Sequence, residues 1–171
     1  MSDFGTTAWG RVWLRLAEPV SVTRPDPQLP RARSLARRDR VREMTTGPGR
    51  ITAVVDDGGD HRVELHFPVW SRPPRIADPE LPDELVETLA GEGTPVAPGA
   101  GDLATECDCR ARDGRCRHVL AVLMETARRA DETPSLALAL RGAEPARTAV
   151  DRDRIPITDL DPETFWSLPP G

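Results

Sequence analysis

Four residues in the second half of the chain have the types and the spacing of a metal site. Cys107 and Cys109 are two residues apart, and Cys116 and His118 repeat that spacing after six intervening residues. In an extended segment, residues two apart point to the same side, so each pair can present its ligand atoms to one point. Three sulfurs and one imidazole nitrogen form a tetrahedral set that is typical of Zn²⁺. Because the protein fills all four positions, we interpret the predicted site as structural rather than catalytic.

The residues between and after the two pairs favour the same interpretation. Asp113-Gly114 is a strong signal for a tight hairpin turn, which would bring the two pairs face to face. Residues 119–129 predict a helix with His118 in its first turn, and the binding energy of the metal would then stabilise this part of the fold. The predicted buried stripe of that helix consists of Leu120, Leu123 and Ala127.

Two other uses of these residues remain as alternatives. The cysteines could be buried or redox-active thiols beside an unrelated histidine, or Cys116 and His118 could form a nucleophile pair. The second alternative lacks a third group to orient the histidine and a donor for an oxyanion, so we expect no enzyme activity. A disulfide framework is disfavoured, because the three cysteines are odd in number and clustered.

Composition indicates a soluble protein of the cytoplasm. Hydrophobic residues make up 38% of the 171 residues and charged residues 30%. No segment approaches the roughly 20 apolar residues that cross a bilayer, and the N-terminus lacks the basic flank and apolar core of a secretion signal. We therefore expect neither a membrane segment nor export.

All 23 basic residues are arginine, and their distribution is uneven. Residues 24–50 carry eight arginines against three acidic residues, whereas residues 51–100 carry three arginines against ten. Arginines also surround the metal motif and end the helix after it, and we take these as candidate nucleic-acid-binding residues: Arg110, Arg112, Arg115, Arg117, Arg128 and Arg129. The alternative is an ordinary solvated face.

Hydrophobic periodicity predicts the elements of the first half of the chain. Residues 7–17 predict a helix in which Trp9 and Trp13 serve as core rather than as stacking platforms for bases. The Pro- and Arg-rich residues 18–40 predict an exposed loop. Residues 41–67 then predict an antiparallel meander, with strands at 41–46, 50–55 and 61–67 joined by glycine-containing turns.

Two short helices and a tail complete the prediction. Residues 82–90 predict a helix that starts near Pro82, with a buried stripe formed by Leu81, Leu85 and Leu89. Residues 134–140 predict a last helix. From residue 143 onward the polar, Pro-containing sequence predicts a linker that ends in the apolar segment 165–168, which we expect to dock on the domain.

The metal motif and its flanks resemble the SWIM zinc-finger family. The spacing of the two ligand pairs, followed by an apolar helix, carries the resemblance. Phe4-Gly5, Trp9-Gly10-Arg11 and Trp13 are similar to the N-terminal signature of bacterial SWIM-containing proteins, and Leu140-Arg141-Gly142 and Phe165-Trp166 are similar to their C-terminal marks. The chain departs from the family in its short spacer, and in having Arg110-Ala111 where many members have Pro-Asp.

The resemblance adds a ββα metal unit to the predicted fold. We expect a small α+β protein, with a small antiparallel β-sheet, flanking helices and a ββα zinc-finger unit packed beside them. We divide the chain into residues 1–70 with the first helix and the meander, 71–102 with a loop and a short helix, 103–142 with the zinc finger, and 143–171 with the linker and tail.

The resemblance also implies a function. SWIM proteins are taken to bind DNA or protein, and bacterial members are associated with helicase-like ATPases of the Swi/Snf type. The chain is therefore expected to be a zinc-stabilised, non-catalytic adaptor that works on DNA beside such an ATPase. The alternative is a subunit that contacts only proteins. Neither alternative involves a small-molecule substrate or a membrane.

Overall fold

The chain combines helices with one antiparallel sheet, as a computed structural model shows for residues 4–19, 26–76, 80–109 and 115–143. The helices of these residues are α1 (Ala8–Ala17), α2 (Leu29–Arg37), α3 (Glu84–Gly91), α4 (Arg117–Glu132) and α5 (Pro134–Leu140), with a 3₁₀ turn at Ala100–Asp102. The strands are β1 (Val41–Gly47), β2 (Arg50–Asp56), β3 (Asp60–His66) and β4 (Ala104–Cys107). The predicted α+β class is confirmed.

The sheet contains the predicted meander and one further strand. Its order is β1-β2-β3-β4, and every neighbouring pair is antiparallel. Residues of β2 alternate between buried and partly exposed positions, so the sheet has one face in the core and one face towards solvent. The strand that leads into the metal motif joins this sheet at the edge of β3, with Val63 opposite Cys107.

Helix α4 is the centre of the core. It contacts α1, α2, α5 and all four strands. Its residues from His118 to Ala127 are all buried, so burial extends well beyond the predicted stripe of Leu120, Leu123 and Ala127. This helix therefore links the metal motif to nearly every other element.

Helix α1 crosses α4 at close range. Its N-terminus is bound by Asp131 of α4, whose carboxylate accepts hydrogen bonds from the backbone N–H groups of Gly5, Thr6 and Thr7 and from the Thr7 hydroxyl. Thr7 also caps α1 by accepting from the backbone N–H of Gly10. The predicted core role of Trp9 and Trp13 is confirmed, because both side chains are fully buried.

The prediction that residues 18–40 form a loop is wrong for Leu29–Arg37, which is helix α2. Pro30 lies in the first turn, where its missing N–H breaks no helical bond, so this proline starts a helix. The buried face consists of Ala32, Leu35 and Ala36, a stripe too small to stand out in a Pro-rich sequence. The helix packs against α4, and its arginines remain exposed as predicted.

Helix α3 differs from its prediction in its buried face. It spans Glu84–Gly91, and its stripe is formed by Val86 and Leu89, while Leu81 and Leu85 are only partly buried. Helix α5 has the predicted bounds. The predicted hairpin turn at residues 113–114 and the predicted docking segment at residues 165–168 lie outside the described residues. Within those residues, no helix is both long and apolar enough to cross a bilayer.

Candidate metal centre

Two structural elements deliver the four predicted ligands to one place. Cys107 is the last residue of β4, and Cys109 lies two residues beyond that strand. Cys116 is the N-cap of α4, with an extended backbone, and His118 lies in the first turn of that helix. The expectation that Cys116 and His118 share one extended segment is therefore wrong, because Arg117 already begins the helix. The expectation that His118 lies in the first helical turn is confirmed.

The geometry of the cluster fits a tetrahedral metal ion. The ligand atoms of Cys107, Cys109, Cys116 and His118 all lie within 4.8 Å of one another. The Nδ1 atom of His118 is 3.6 Å from the sulfur of Cys107 and 3.9 Å from that of Cys116. In a tetrahedral zinc site, bond lengths of about 2.3 Å to sulfur and 2.0–2.1 Å to nitrogen separate sulfur from nitrogen by about 3.6 Å. The four side chains could therefore hold a metal ion with little adjustment.

The imidazole of His118 is oriented from both sides. Its Nδ1 atom faces the sulfurs, whereas its Nε2 atom lies 3.2 Å from the Oδ2 atom of Asp57. Burial lowers the pKa of His118, and the contact with Asp57 only partly opposes that effect. A neutral ring with its proton on Nε2 donates to Asp57 and leaves the Nδ1 lone pair for a metal. A carboxylate in this position is typical of metal-binding histidines.

Asp57 is the site residue that the sequence did not reveal. It lies in the turn between β2 and β3, and its side chain is 2% exposed. Arg31 and Arg117 both form ion pairs with it. Burial opposes its ionisation, but the hydrogen bonds from Arg31, Arg117 and His118 hold the pKa of this carboxyl well below its usual range. In the sequence, Asp57-Gly58-Gly59 indicates only a turn, so no local signal distinguishes this aspartate.

Residues of β3 also contact the metal motif. The ring of His61 stacks on that of His118, with centroids 4.1 Å apart and planes 15° apart. Asp108 lies between the two cysteines of the first pair; one of its oxygens is 3.3 Å from Nδ1 of His61, and the other accepts from the backbone N–H of Arg62. No local feature of the sequence connects His61 to the site.

Two thiols of the cluster have raised pKa values. Burial raises the pKa of Cys107 and of Cys116, so both are protonated near neutral pH unless a cation compensates the thiolates. A nucleophilic cysteine typically has a lowered pKa. The raised pKa values argue against a nucleophilic cysteine, and a bound divalent ion would supply the positive charge that stabilises the thiolates.

The candidate nucleic-acid-binding arginines that the structure describes all interact within the chain. Arg115 donates to the backbone carbonyls of Leu16 and Ala17, and Arg117 pairs with Asp57. Further along α4, Arg128 and Arg129 both pair with the buried carboxylate of Glu125. Arg110 and Arg112 lie outside the described residues.

Comparisons with known proteins give one related sequence and no family assignment. The chain is 26% identical, over 157 residues, to the uncharacterized protein Rv2102 of Mycobacterium tuberculosis. The matched region covers 81% of this chain and 56% of that protein, so the chain spans little more than half of the length of its relative. No protein-family description matches the chain, and no solved structure matches it.

Proposed function

We propose that this protein is a non-catalytic adaptor of the SWIM zinc-finger type, folded around one structural Zn²⁺. The observation that supports the proposal is the convergence of three cysteine sulfurs and one histidine nitrogen at the junction of β4 and α4. Four protein ligands leave no open position for water or substrate, which is the character of a structural site. Thiolate-rich tetrahedral sets favour zinc over the divalent ions that prefer oxygen ligands.

Metal content tests the first part of the proposal. The protein, purified without added metal and without a metal-binding affinity tag, should contain one zinc per chain by elemental analysis. Cys109→Ser should lose stoichiometric zinc, because it removes one of the four ligands. The control is Ser71→Ala, which changes an exposed residue of the loop after β3 and should retain full zinc content. Absence of zinc from the unaltered protein refutes this function.

The second part of the proposal places the adaptor on DNA, beside a helicase-type ATPase. It rests on the resemblance to bacterial SWIM proteins and on the arginines around the metal motif. Binding carried by phosphate contacts weakens with salt, and each lost contact reduces the slope of log affinity against log salt by about 0.9. Arg112→Ala combined with Arg115→Ala should therefore flatten that slope for duplex DNA.

The matched control for that experiment is Arg72→Ala combined with Arg75→Ala. These two arginines are exposed, and their replacement removes the same charge from a loop outside the metal motif. Fluorescence anisotropy between 50 and 200 mM salt measures both pairs on protein that has retained its zinc. Affinity-tagged protein expressed in its native cell should also retain a Swi/Snf-type ATPase, identified by mass spectrometry.

A second candidate function is a protein-interaction subunit without nucleic-acid contact. One observation favours it: Arg115, Arg117, Arg128 and Arg129 are all engaged by carbonyls or carboxylates of the same chain, and these contacts compete with phosphate. This candidate requires that duplex DNA binds no better than a neutral polymer at 50 mM salt. It also requires that the partner remains bound after nuclease treatment.

A further inference from the structure

We propose that Asp57 is the positioning residue of the metal centre, and that through Arg31 it couples the centre to helix α2. The inference rests on the zinc-binding function proposed above and extends the site beyond its four ligands. It assigns a role to a turn that lies fifty residues before the first cysteine.

The ring of His118 is held through the nitrogen that faces away from the sulfurs. A histidine that binds a metal through Nδ1 can rotate about its side-chain bonds unless its other nitrogen is held. Here Nε2 is 3.2 Å from Asp57, and both side chains are almost completely buried, at 3% and 2% exposed. The carboxylate therefore fixes both the proton on Nε2 and the direction of the Nδ1 lone pair.

Asp57 is itself held by arginines from two helices. Its Oδ1 atom accepts from Arg31 of α2, and its Oδ2 atom accepts from Arg117 of α4 and lies beside His118. One buried carboxylate thus joins the β2–β3 turn to two helices and to the imidazole. A change at Arg31 should reach the metal through Asp57, although Arg31 is not one of the four ligands.

The decisive experiment measures zinc affinity by competition with a chromogenic chelator. Asp57→Asn keeps the size of the side chain but removes its charge, and it should weaken zinc binding by about 10- to 100-fold. The matched control is Asp60→Asn in the same hairpin, because Asp60 is 68% exposed and pairs with Arg42. Equal affinities of Asp57→Asn and the unaltered protein would overturn the proposal.

A double-mutant cycle separates positioning from general stabilisation. His118→Cys supplies a ligand that has no ring to orient, so adding Asp57→Asn in that background should change zinc affinity by no more than about twofold. An effect as large as in the unaltered background would overturn the positioning role. If His118→Cys does not bind zinc, nitrogen NMR of the imidazole decides the question. The Nε2 proton should exchange slowly in the zinc-bound protein and rapidly in Asp57→Asn, and unchanged exchange would refute the role.

The coupling to α2 has its own matched pair of variants. Arg31→Gln should weaken zinc binding severalfold, because Asp57 loses a partner that holds it. Arg33→Gln alters the same helix, but Arg33 pairs with Glu18 and should leave zinc affinity unchanged. Equal effects of the two variants would overturn the coupling. If the proposed function is wrong, the unaltered protein itself contains no zinc. If only the positioning role is wrong, the unaltered protein binds zinc and the variants bind it equally well.

Discussion

Helix α1 passes close to α4 at Gly10, where we predict that a larger residue destabilises the fold. A Cβ atom added there would lie 2.2 Å from the Oδ1 atom of Asp131 and 2.6 Å from the carbonyl oxygen of Ala127. The aspartate could rotate away, but the helix carbonyl cannot. The distance between the added Cβ and the carbonyl oxygen of Ala127 would have to increase from 2.6 Å to the 3.4 Å of ordinary contact. Helix α1 would therefore have to move away from α4 by about 0.8 Å.

The cost of Gly10→Ala follows from that geometry. Overpacking costs about 1–3 kcal/mol, and rotation of Asp131 weakens hydrogen bonds to a charged acceptor that are worth about 1.5–3 kcal/mol each. The higher helix propensity of alanine offsets about 1 kcal/mol. We therefore expect the free energy of unfolding to fall by about 2–4 kcal/mol, equivalent to about 5–15 °C in melting temperature for a chain of this size.

Urea denaturation of the zinc-loaded protein measures this change. The matched control is Gly91→Ala at the end of α3, where an added Cβ meets no atom within 4 Å. That variant should be as stable as the unaltered protein or slightly more stable. Zinc affinity should not change in Gly10→Ala, because Asp131 lies thirteen residues after His118, about 20 Å along α4. If the free energy of unfolding of Gly10→Ala lies within about 0.5 kcal/mol of that of the unaltered protein, the close contact between α1 and α4 is refuted.

Three further perturbations test the centre and the core. Chelation of the metal should lower the melting temperature by about 10 °C or more, because binding free energy contributes to folding; calorimetry before and after zinc is restored checks this. Zinc binding at pH 7 should release at least two protons, because burial raises the pKa of Cys107 and Cys116 and only their thiolates bind. The two thiols hold these protons in the metal-free state, so zinc affinity should fall about 100-fold for each pH unit of acidification. Calorimetric titration in two buffers counts the protons released. Asp131→Ala should cost about 2–4 kcal/mol in urea denaturation, because four hydrogen bonds at the start of α1 lose their acceptor. The loss is smaller than the sum of four hydrogen bonds to a charged group, because the freed donors are only part-buried or exposed and bind water instead. Glu132→Ala, at an exposed position, should change stability by less than about 0.5 kcal/mol. An unchanged melting temperature, fewer than two protons, or equal effects of the two α4 variants would contradict the respective prediction.

Local patterns were sufficient for the elements whose signals are contained in a few residues. Strands β2 and β3 alternate between buried and more exposed residues, the meander strands are separated by glycine turns, and α5 begins with a proline and ends before Gly142. The four candidate ligands share one short segment, so their types and spacing identify them without tertiary information. Each of these signals is read within a window of about ten residues.

The missed features depend on partners that are distant in sequence. Helix α2 buries only Ala32, Leu35 and Ala36, and that small face is sufficient only because α4 lies against it. Asp57 resembles any other turn aspartate until Arg31, Arg117 and His118 converge on it. Neither hydrophobic periodicity nor ligand spacing carries information about such convergence, which the packing of the elements creates.

The register of β4 on β3 decides how the candidate metal ligands face α4. Val63 is opposite Cys107, and the backbone N–H of Asp108 donates to the carbonyl of Arg62. This alignment places Cys107 on the core face with Val63, towards α4, and carries His61 to the ring of His118. A slip of one residue would turn Cys107 to the solvent face, because side chains alternate along a strand. The spacing of the cysteines therefore identifies the candidate ligands, but the strand pairing decides whether they meet.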